Sequence, residues 1–277
     1  MDNFILILKS IIMGIVEGVT EFLPISSTGH MILVGKSIGF DDTFATFFEV
    51  FIQFGAILAI VVLYRKKIID SLRHLRRGEY GFKLWTAIIM AAIPTSIIAV
   101  IFHKTVKTYL WNVKSVALAL VVGGIFMIVT ENIFRKNNNT KRAEDTSLKQ
   151  GFLIGVFQCL SVLWPGFSRS ASTIIGGWAV GLTTVAAAEF SFFLAIPMMF
   201  AASVGEMVGE RPAMSGIQIL ALIVGFVVSF LVALIVVKKF IEYLKTKPMR
   251  VFAIYRIIIG VLILLIAFNT NFLNLTV

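Results

Sequence analysis

The sequence predicts an all-α polytopic membrane protein with two inverted-topology repeats, each a re-entrant helix hairpin followed by three transmembrane helices. Three observations support this fold class. The 277 residues are 58% hydrophobic and only 14% charged, whereas soluble domains are about one quarter charged. Six apolar segments are each long enough, at about 20 residues, to cross a bilayer as a helix. Two further apolar stretches are interrupted near the middle by a proline and a polar cluster.

The six uninterrupted segments fall into two groups of three, one in each half of the chain. Each segment is predominantly apolar, as a membrane-spanning helix requires. The predicted spans are Phe44–Tyr64, Leu84–His103, Ser115–Phe134, Thr184–Ser203, Gly216–Val237 and Val251–Phe268.

The two interrupted stretches are Phe4–Gly39, broken at Pro24, and Leu148–Gly181, broken at Pro165. Irregular backbone at membrane depth is tolerated only where protein buries it or where it lines a wet cavity. We therefore expect both stretches to be re-entrant helix–loop–helix hairpins. The segment Phe4–Leu23 is long enough to span alone, so its first turns are alternatively expected along the interface.

The hairpins divide a single membrane domain, residues 1–277, into a first repeat at 1–136 and a second at 147–277. Because three crossings per half is an odd number, the second repeat is expected to be inverted relative to the first. Inverted repeats with interrupted helices are known to bind small charged ligands near the bilayer midplane. Aligning the stretches places Gly14, Pro24, Ser27 and Gly35 on Gly155, Pro165, Ser168 and Gly176.

The distribution of basic residues predicts orientation. Loops 65–83, 135–149 and 238–250 carry seventeen Lys and Arg, against six on the opposite side. Cytoplasmic loops carry the excess of Lys and Arg, so both termini are expected outside the cell. The net charge of +10 thus does not indicate nucleic-acid binding. The single Cys159 excludes an internal disulfide and is expected to be an apolar filler.

The stretch EGVTEFLPISSTGH places Glu17 and Glu21 four residues apart, on one face of a helix and near its negative C-terminal end. Two carboxylates held there repel each other, which favours either protonation of one or binding of a cation. Oxygen ligands suit a hard divalent cation such as Mg²⁺ or Ca²⁺. A purely structural pair facing water or an arginine is the alternative.

Hydroxyl side chains follow each interruption. Ser26, Ser27 and Thr28 can cap the helix after Pro24, and Ser168 and Ser170 can cap its counterpart. In inverted repeats the two helix N-termini converge, and each presents free N–H groups and about half a positive charge. The sequence therefore predicts an anion site between the two hairpins.

Two ionisable residues complete the predicted site. Arg169 offers a permanent charge and a planar fork that fits phosphate. His30 lies one turn after Ser27 and is a candidate base or nucleophile. In the last span, Arg256 is expected either to face the cavity or to pair with an acid.

EGVTEFLPISSTGH and WPGFSRSAST closely resemble the two signature motifs of the bacterial undecaprenyl-diphosphatase family, membrane phosphatases associated with bacitracin resistance. The similarity extends over essentially the whole chain, including FIQFGAILAIV and AIYRIIIGV. It implies a hydrolase that converts undecaprenyl diphosphate to undecaprenyl phosphate and inorganic phosphate, recycling the lipid carrier of peptidoglycan synthesis. The site residues it implies are Glu17, Glu21, Ser27, His30, Ser168, Arg169, Ser170 and Thr173.

The resemblance also implies dependence on a divalent cation, held at Glu17 and Glu21, and a site in the bacterial plasma membrane that opens to the extracytoplasmic side. Bacitracin would compete for the same long-chain isoprenyl diphosphate. An inverted-repeat transporter or flippase for a polyprenyl phosphate is the alternative, because the same architecture occurs in transporters. The sequence does not decide whether Ser27, His30 or water is the nucleophile. It also leaves open whether the protein forms a homodimer.

Overall fold

The computed structural model describes residues 3–135, 139–209 and 213–269, and the regular elements of these residues are helices. A short 3₁₀ helix, Ala143–Asp145, links the two halves. The α-helices of the described residues are α1 Asn3–Thr20, α2 Ser27–Ser37, α3 Thr43–Leu63, α4 Arg65–Arg73, α5 Tyr80–Tyr109, α6 Val113–Phe134, α7 Leu148–Leu163, α8 Arg169–Ala179, α9 Thr184–Gly209, α10 Gly216–Leu244 and α11 Arg250–Asn269.

All six predicted spans are helices, and a multi-pass membrane protein is thereby confirmed. The described residues contain seven helices long and apolar enough to cross a membrane, one more than predicted. The seventh is α1, the first arm of the first predicted hairpin, which runs for 18 residues because nothing breaks it before the turn at Pro24. Its counterpart α7 has only 16 residues.

Helix packing brings distant parts of the chain together. The most extensive helix–helix interfaces are those of α1 with α10, α7 with α5, α6 with α11, and α3 with α10. Glycines permit the close approach: a Cβ added at Gly14 would lie 2.7 Å from the carbonyl oxygen of Gly225, and one at Gly155 would overlap the carbonyl of Ala91. Small residues at such crossings let helix backbones meet in a membrane, where packing drives association.

The basic loop after α3 is tied to the second half of the chain. Lys67 Nζ lies 2.7 Å from Glu189 Oε2 and 3.0 Å from Glu144 Oε1. Burial of the Glu144 carboxyl opposes its ionisation, but a backbone N–H and the ammonium of Lys67 outweigh burial and lower its pKa below 4.5. Lys67, in the basic segment 65–83, is therefore more than a solvated charge: it pairs with the linking 3₁₀ helix and with α9.

Both chain termini, predicted to lie outside the cell, fall beyond the described residues, as does Lys136 at the end of the first repeat.

Candidate active site

The two interruptions have the same local structure. After each proline the chain turns, and a serine at positive φ immediately precedes the next helix: Ser26 at φ 70° and Ser168 at φ 77°. These are the only non-glycine residues with positive φ in the described ranges. Such conformations are costly and concentrate at functional sites. The two breaks are thus built alike.

Each of these serines is an N-cap. Ser26 Oγ accepts from the N–H of Gly29 at 3.4 Å, and Ser168 Oγ accepts from the N–H of Ala171 at 3.3 Å. The sequence alignment placed Ser27 on Ser168, which is wrong by one residue, because the cap at Ser168 corresponds to Ser26. The equivalent of Ser27 is therefore Arg169, and these residues begin α2 and α8.

Glu21 joins the two interruptions. Its Oε2 accepts a hydrogen bond from the hydroxyl of Ser27 at 2.6 Å, and its Oε1 lies 2.9 Å from Nη2 of Arg169. The side chains of Glu21 and Arg169 are 6% and 17% exposed, so the ion pair is largely shielded from solvent. A buried carboxylate with a charged donor and a hydroxyl donor is well satisfied. The structure thus unites both signature stretches through one side chain.

Arg169 is oriented by residues that were not predicted to belong to the site. Its Nη1 donates to the backbone carbonyl of Ser191 at 3.2 Å, and its guanidinium lies over the ring of Phe22, 5.7 Å from the centroid. Its Nη2 also contacts Sδ of Met199 at 3.1 Å. Its Nε is buried and has no partner, which leaves one donor of the fork available.

His30 is held away from Ser27. Its Nδ1 lies 2.8 Å from the carbonyl oxygen of Ser26, so this nitrogen carries the proton of the neutral ring. Its Nε2 then accepts from the hydroxyl of Tyr255 at 2.8 Å, and the two rings stack with centroids 5.6 Å apart. Tyr255 was not predicted, although a tyrosine beside an arginine in an apolar span could have indicated it.

Glu17 lies buried one turn before Glu21, at 3% exposure. It is close enough to Glu21, Glu49 and Arg169 to interact with them electrostatically. Its Oε1 is buried without a hydrogen-bond partner. An unpaired buried carboxylate is costly, so this oxygen needs a proton or a cation. Glu49, on α3, was not predicted as part of this group.

Two of the hydroxyls that were predicted to bind phosphate donate hydrogen bonds within the protein. Ser170 Oγ donates to the carbonyl oxygen of Leu23 at 2.8 Å, which links the start of α8 to the first break. Thr173 Oγ1 donates to Ser191 Oγ at 2.7 Å and so supports the residue that orients the arginine. Thr28 is half-buried in the first turn of α2.

Within the described residues, there is no group of three or more His, Cys, Asp or Glu side chains that could hold a metal ion. Glu21 uses both oxygens on Ser27 and Arg169, whereas Glu17 keeps one oxygen free. Mg²⁺ is commonly bound by one or two carboxylates together with substrate phosphates and water. The residues present fit a cation of that kind with Glu17 as its protein ligand.

The arrangement is suited to phosphoryl transfer. A hydroxyl bonded to a carboxylate can lose its proton to that carboxylate as it attacks phosphorus. A planar arginine and two helix N-termini can stabilise the charge that develops on the phosphoryl oxygens. The hydroxyl of Ser27 and the guanidinium of Arg169 each lie within hydrogen-bond distance of the Glu21 carboxylate.

Comparison with known proteins identifies relatives along almost the entire chain. The family model described as bacitracin resistance protein BacA matches residues 10–262. The chain is 51% identical over 264 residues to an undecaprenyl-diphosphatase of Clostridium tetani, covering 95% of this chain and 97% of that protein. It is 52% identical over 261 residues to the undecaprenyl-diphosphatase of Thermoanaerobacter sp. strain X514, with coverages of 94% and 97%. It is also 49% identical over 282 residues to undecaprenyl-diphosphatase 2 of Clostridioides difficile, with 98% of each chain covered.

Proposed function

Since this chain belongs to the bacitracin resistance protein BacA family, we propose that it hydrolyses undecaprenyl diphosphate to undecaprenyl phosphate and inorganic phosphate. It is a membrane hydrolase, and its product is the lipid carrier that cell-wall synthesis uses again. The transporter alternative is not favoured, because the relatives are named as diphosphatases. The observation that carries the proposal is the contact of Glu21 with both Ser27 and Arg169, which unites nucleophile, base and anion-binding group.

In the proposed reaction, the Ser27 hydroxyl attacks the terminal phosphorus and gives its proton to Glu21, with which it already shares a 2.6 Å hydrogen bond. The bond between that phosphorus and the bridging oxygen breaks, and undecaprenyl phosphate leaves with the bridging oxygen. Water then attacks phosphoserine, which releases inorganic phosphate and restores the hydroxyl. Arg169 stabilises the charge on the equatorial oxygens.

His30 has a different part in this proposal. Its Nε2 accepts a hydrogen bond from Tyr255 and not from Ser27. His30 can therefore act as the base for the attacking water only after its hydrogen bond with Tyr255 is broken. Among the described hydrogen bonds of its ring, the partners are Ser26 and Tyr255. The geometry therefore favours Ser27 over His30 as nucleophile.

We also propose that a divalent cation, Mg²⁺ or Ca²⁺, is held by Glu17, with phosphate oxygens as further ligands. When bound, such a cation would neutralise phosphate charge and polarise the phosphoryl group. Glu17 supplies a buried oxygen without a partner. For Glu21 to bind the same cation, it would have to give up its hydrogen bond with Ser27 or its ion pair with Arg169. Glu17 loses no such contact, because its Oε1 has no partner.

An apolar cavity of about 810 Å³ between α3, α9 and α10 is proposed to hold part of the isoprenoid chain. Binding pockets for apolar ligands are of this size and composition. The cavity adjoins the site through α9, where Phe200 lines the cavity and its neighbour Met199 contacts Arg169. Other lining residues are Phe47, Phe51, Phe54 and Phe226.

The inverted-repeat organisation, with repeats at 1–136 and 147–277, remains part of the proposal. Its support is the matching order of packing: α1 lies along α10 as α7 lies along α5, while α3 meets α9 and α6 meets α11. The equal caps at Ser26 and Ser168 add to this support. The excess of basic residues at 65–83, 135–149 and 238–250 leads us to propose that these loops are cytoplasmic. We further propose, as the family resemblance implies, that the site opens to the extracytoplasmic side.

Phosphate release from undecaprenyl diphosphate by the purified enzyme tests the function, with and without a chelator. Undecaprenyl phosphate is the matched control, because it lacks the phosphoric anhydride and should release nothing. A quenched single turnover followed by intact-mass measurement should show one phosphoryl group on wild type and none on Ser27→Ala. Release of phosphate without any phosphoenzyme would favour water as the nucleophile. Lipid crossing the bilayer of proteoliposomes without phosphate release would favour the transporter.

Bacitracin sequesters the proposed substrate, so added bacitracin should lower the rate in proportion to the lipid it removes. The molar mass of the protein in detergent distinguishes a monomer from a homodimer.

A further inference from the structure

Arg256, on α11, is a fully buried arginine whose described hydrogen bonds all end on backbone carbonyls. Its side chain is 0% exposed. Its place in an apolar span predicted that it would face the cavity or pair with an acid, and the structure shows a third arrangement. Its guanidinium donates to four carbonyl oxygens, and none of these described bonds goes to a carboxylate.

Three of the four carbonyls belong to the two helix breaks that form the site. Nη1 donates to Pro24 at 3.2 Å, in the first helix break. Nη2 donates to Phe167 at 2.8 Å and to Gly166 at 3.3 Å, both in the second break, and to Ala119 of α6 at 3.3 Å. One side chain thus bonds to both breaks, within two residues of each capping serine.

The arrangement uses properties specific to arginine. A buried cation without an anionic partner is expensive unless hydrogen bonds satisfy it. The planar fork offers donors in several fixed directions, so it can bond two separate turns at once. A lysine ammonium is a single point with three donors and cannot reach acceptors on opposite sides of the fork. The Phe167 ring, 5.8 Å from the guanidinium, further fixes the plane.

We infer that Arg256 is a positioning residue for the diphosphatase reaction: it holds the two helix breaks in mutual register, so that Glu21 and Ser27 from the first meet Arg169 from the second. The inference rests on the proposed function, because activity is its main readout. A second link joins the same two breaks, from Ser170 Oγ to the carbonyl of Leu23 at 2.8 Å. Displacements of about 1 Å at reacting groups cost as much as 10²-fold in rate.

The first test compares Arg256→Lys with Arg250→Lys. Arg250 lies on the same helix and donates to Asn132 at an exposed position, so its replacement should leave kcat unchanged. For Arg256→Lys, kcat per folded enzyme should fall about 10–100-fold, with a smaller change in KM. Wild-type activity tests the function separately, so inactive wild-type enzyme would refute the proposed function rather than this inference.

A double-mutant cycle separates positioning from a general loss of stability. If Arg256 and Ser170 maintain the same register, Arg256→Lys combined with Ser170→Ala should lose less activity than the product of the single losses, as coupled sites do. A purely structural residue would lower the melting temperature of the folded protein and leave kcat per folded molecule intact. Multiplicative single losses, or unchanged kcat in folded Arg256→Lys, would overturn the inference.

A second pair of variants keeps the arginine and moves it. A Cβ at Gly123 would overlap Nη2 of Arg256, whereas a Cβ at Gly124 would crowd Ile257 and the carbonyl of Ala253 and would meet Arg256 only at its Cβ, at an ordinary contact distance of 3.4 Å. Both changes crowd the contact between α6 and α11. Gly123→Ala should therefore lower kcat by at least about tenfold more than Gly124→Ala. This pair decides the matter if Arg256→Lys does not fold, and equal losses in the two variants would refute the inference.

Discussion

Replacement of Arg169 by lysine tests the core of the proposed site, because it retains the charge and removes the fork. In the resting structure Nη2 pairs with Glu21 at 2.9 Å, Nη1 donates to Ser191 at 3.2 Å, and Nε has no partner. A lysine ammonium can pair with Glu21 but cannot also donate from the position of Nε. The loss of one charge-assisted contact in the transition state should cost about 2.7–4 kcal/mol, or about 10²–10³ in kcat.

The assay is steady-state phosphate release from undecaprenyl diphosphate in detergent, with kcat and KM determined separately. We expect kcat to fall more than KM rises, because the ground-state pair with Glu21 survives. Arg135→Lys is the matched control: its side chain is 36% exposed, lies outside the proposed site and is 3.5 Å from Glu131, with which a lysine can also pair. Arg169→Lys with kcat within about threefold of wild type, a change of about 0.65 kcal/mol, would show that the fork is not used.

Three further predictions address orientation, the cation and the connection between the halves. In a Cys159→Ala background, cysteines at Arg77 and Thr108 should react with impermeant reagents from opposite sides of the membrane, and labelling from one side would contradict the proposed topology. Glu17→Gln should raise the Mg²⁺ concentration needed for half-maximal activity, which a titration in chelator buffers measures; an unchanged requirement would remove Glu17 as the ligand. Because folding lowers the pKa of Glu144, its stabilising effect is present above pH 4.5 and is lost as pH falls through the lowered pKa. The melting temperatures of wild type and Glu144→Gln should therefore converge on acidification, and a constant gap would exclude this ionisation as the cause.

Sequence alone determined the membrane class, the six long spans and the positions of the two interruptions. These features are local. An apolar run of sufficient length has few folded alternatives in lipid other than a helix. Proline weakens a helix by removing a backbone hydrogen bond; the chain breaks near Pro24 and Pro165, where polar residues follow, whereas Pro94 and Pro197 lie inside α5 and α9. The serine caps after Pro24 and Pro165 followed from the same local rules, although the register of the second break was misplaced by one residue. The two signature motifs of the family lie around those two breaks, although the resemblance extends over essentially the whole chain.

The partners of the site residues were decided only by the tertiary structure. Glu21 meets Arg169 across 148 residues of sequence, and His30 meets Tyr255 across 225. Which face of a helix turns toward which neighbour depends on the packing of all the helices together, and no local pattern specifies it. Arg256 shows the limit most clearly. A buried cation in a sequence is expected to pair with an acidic side chain. Its partners here are backbone carbonyls at the helix breaks, and no residue type in the sequence marks such carbonyls as acceptors. They become acceptors for this arginine only because the fold brings both breaks against the same turn of α11.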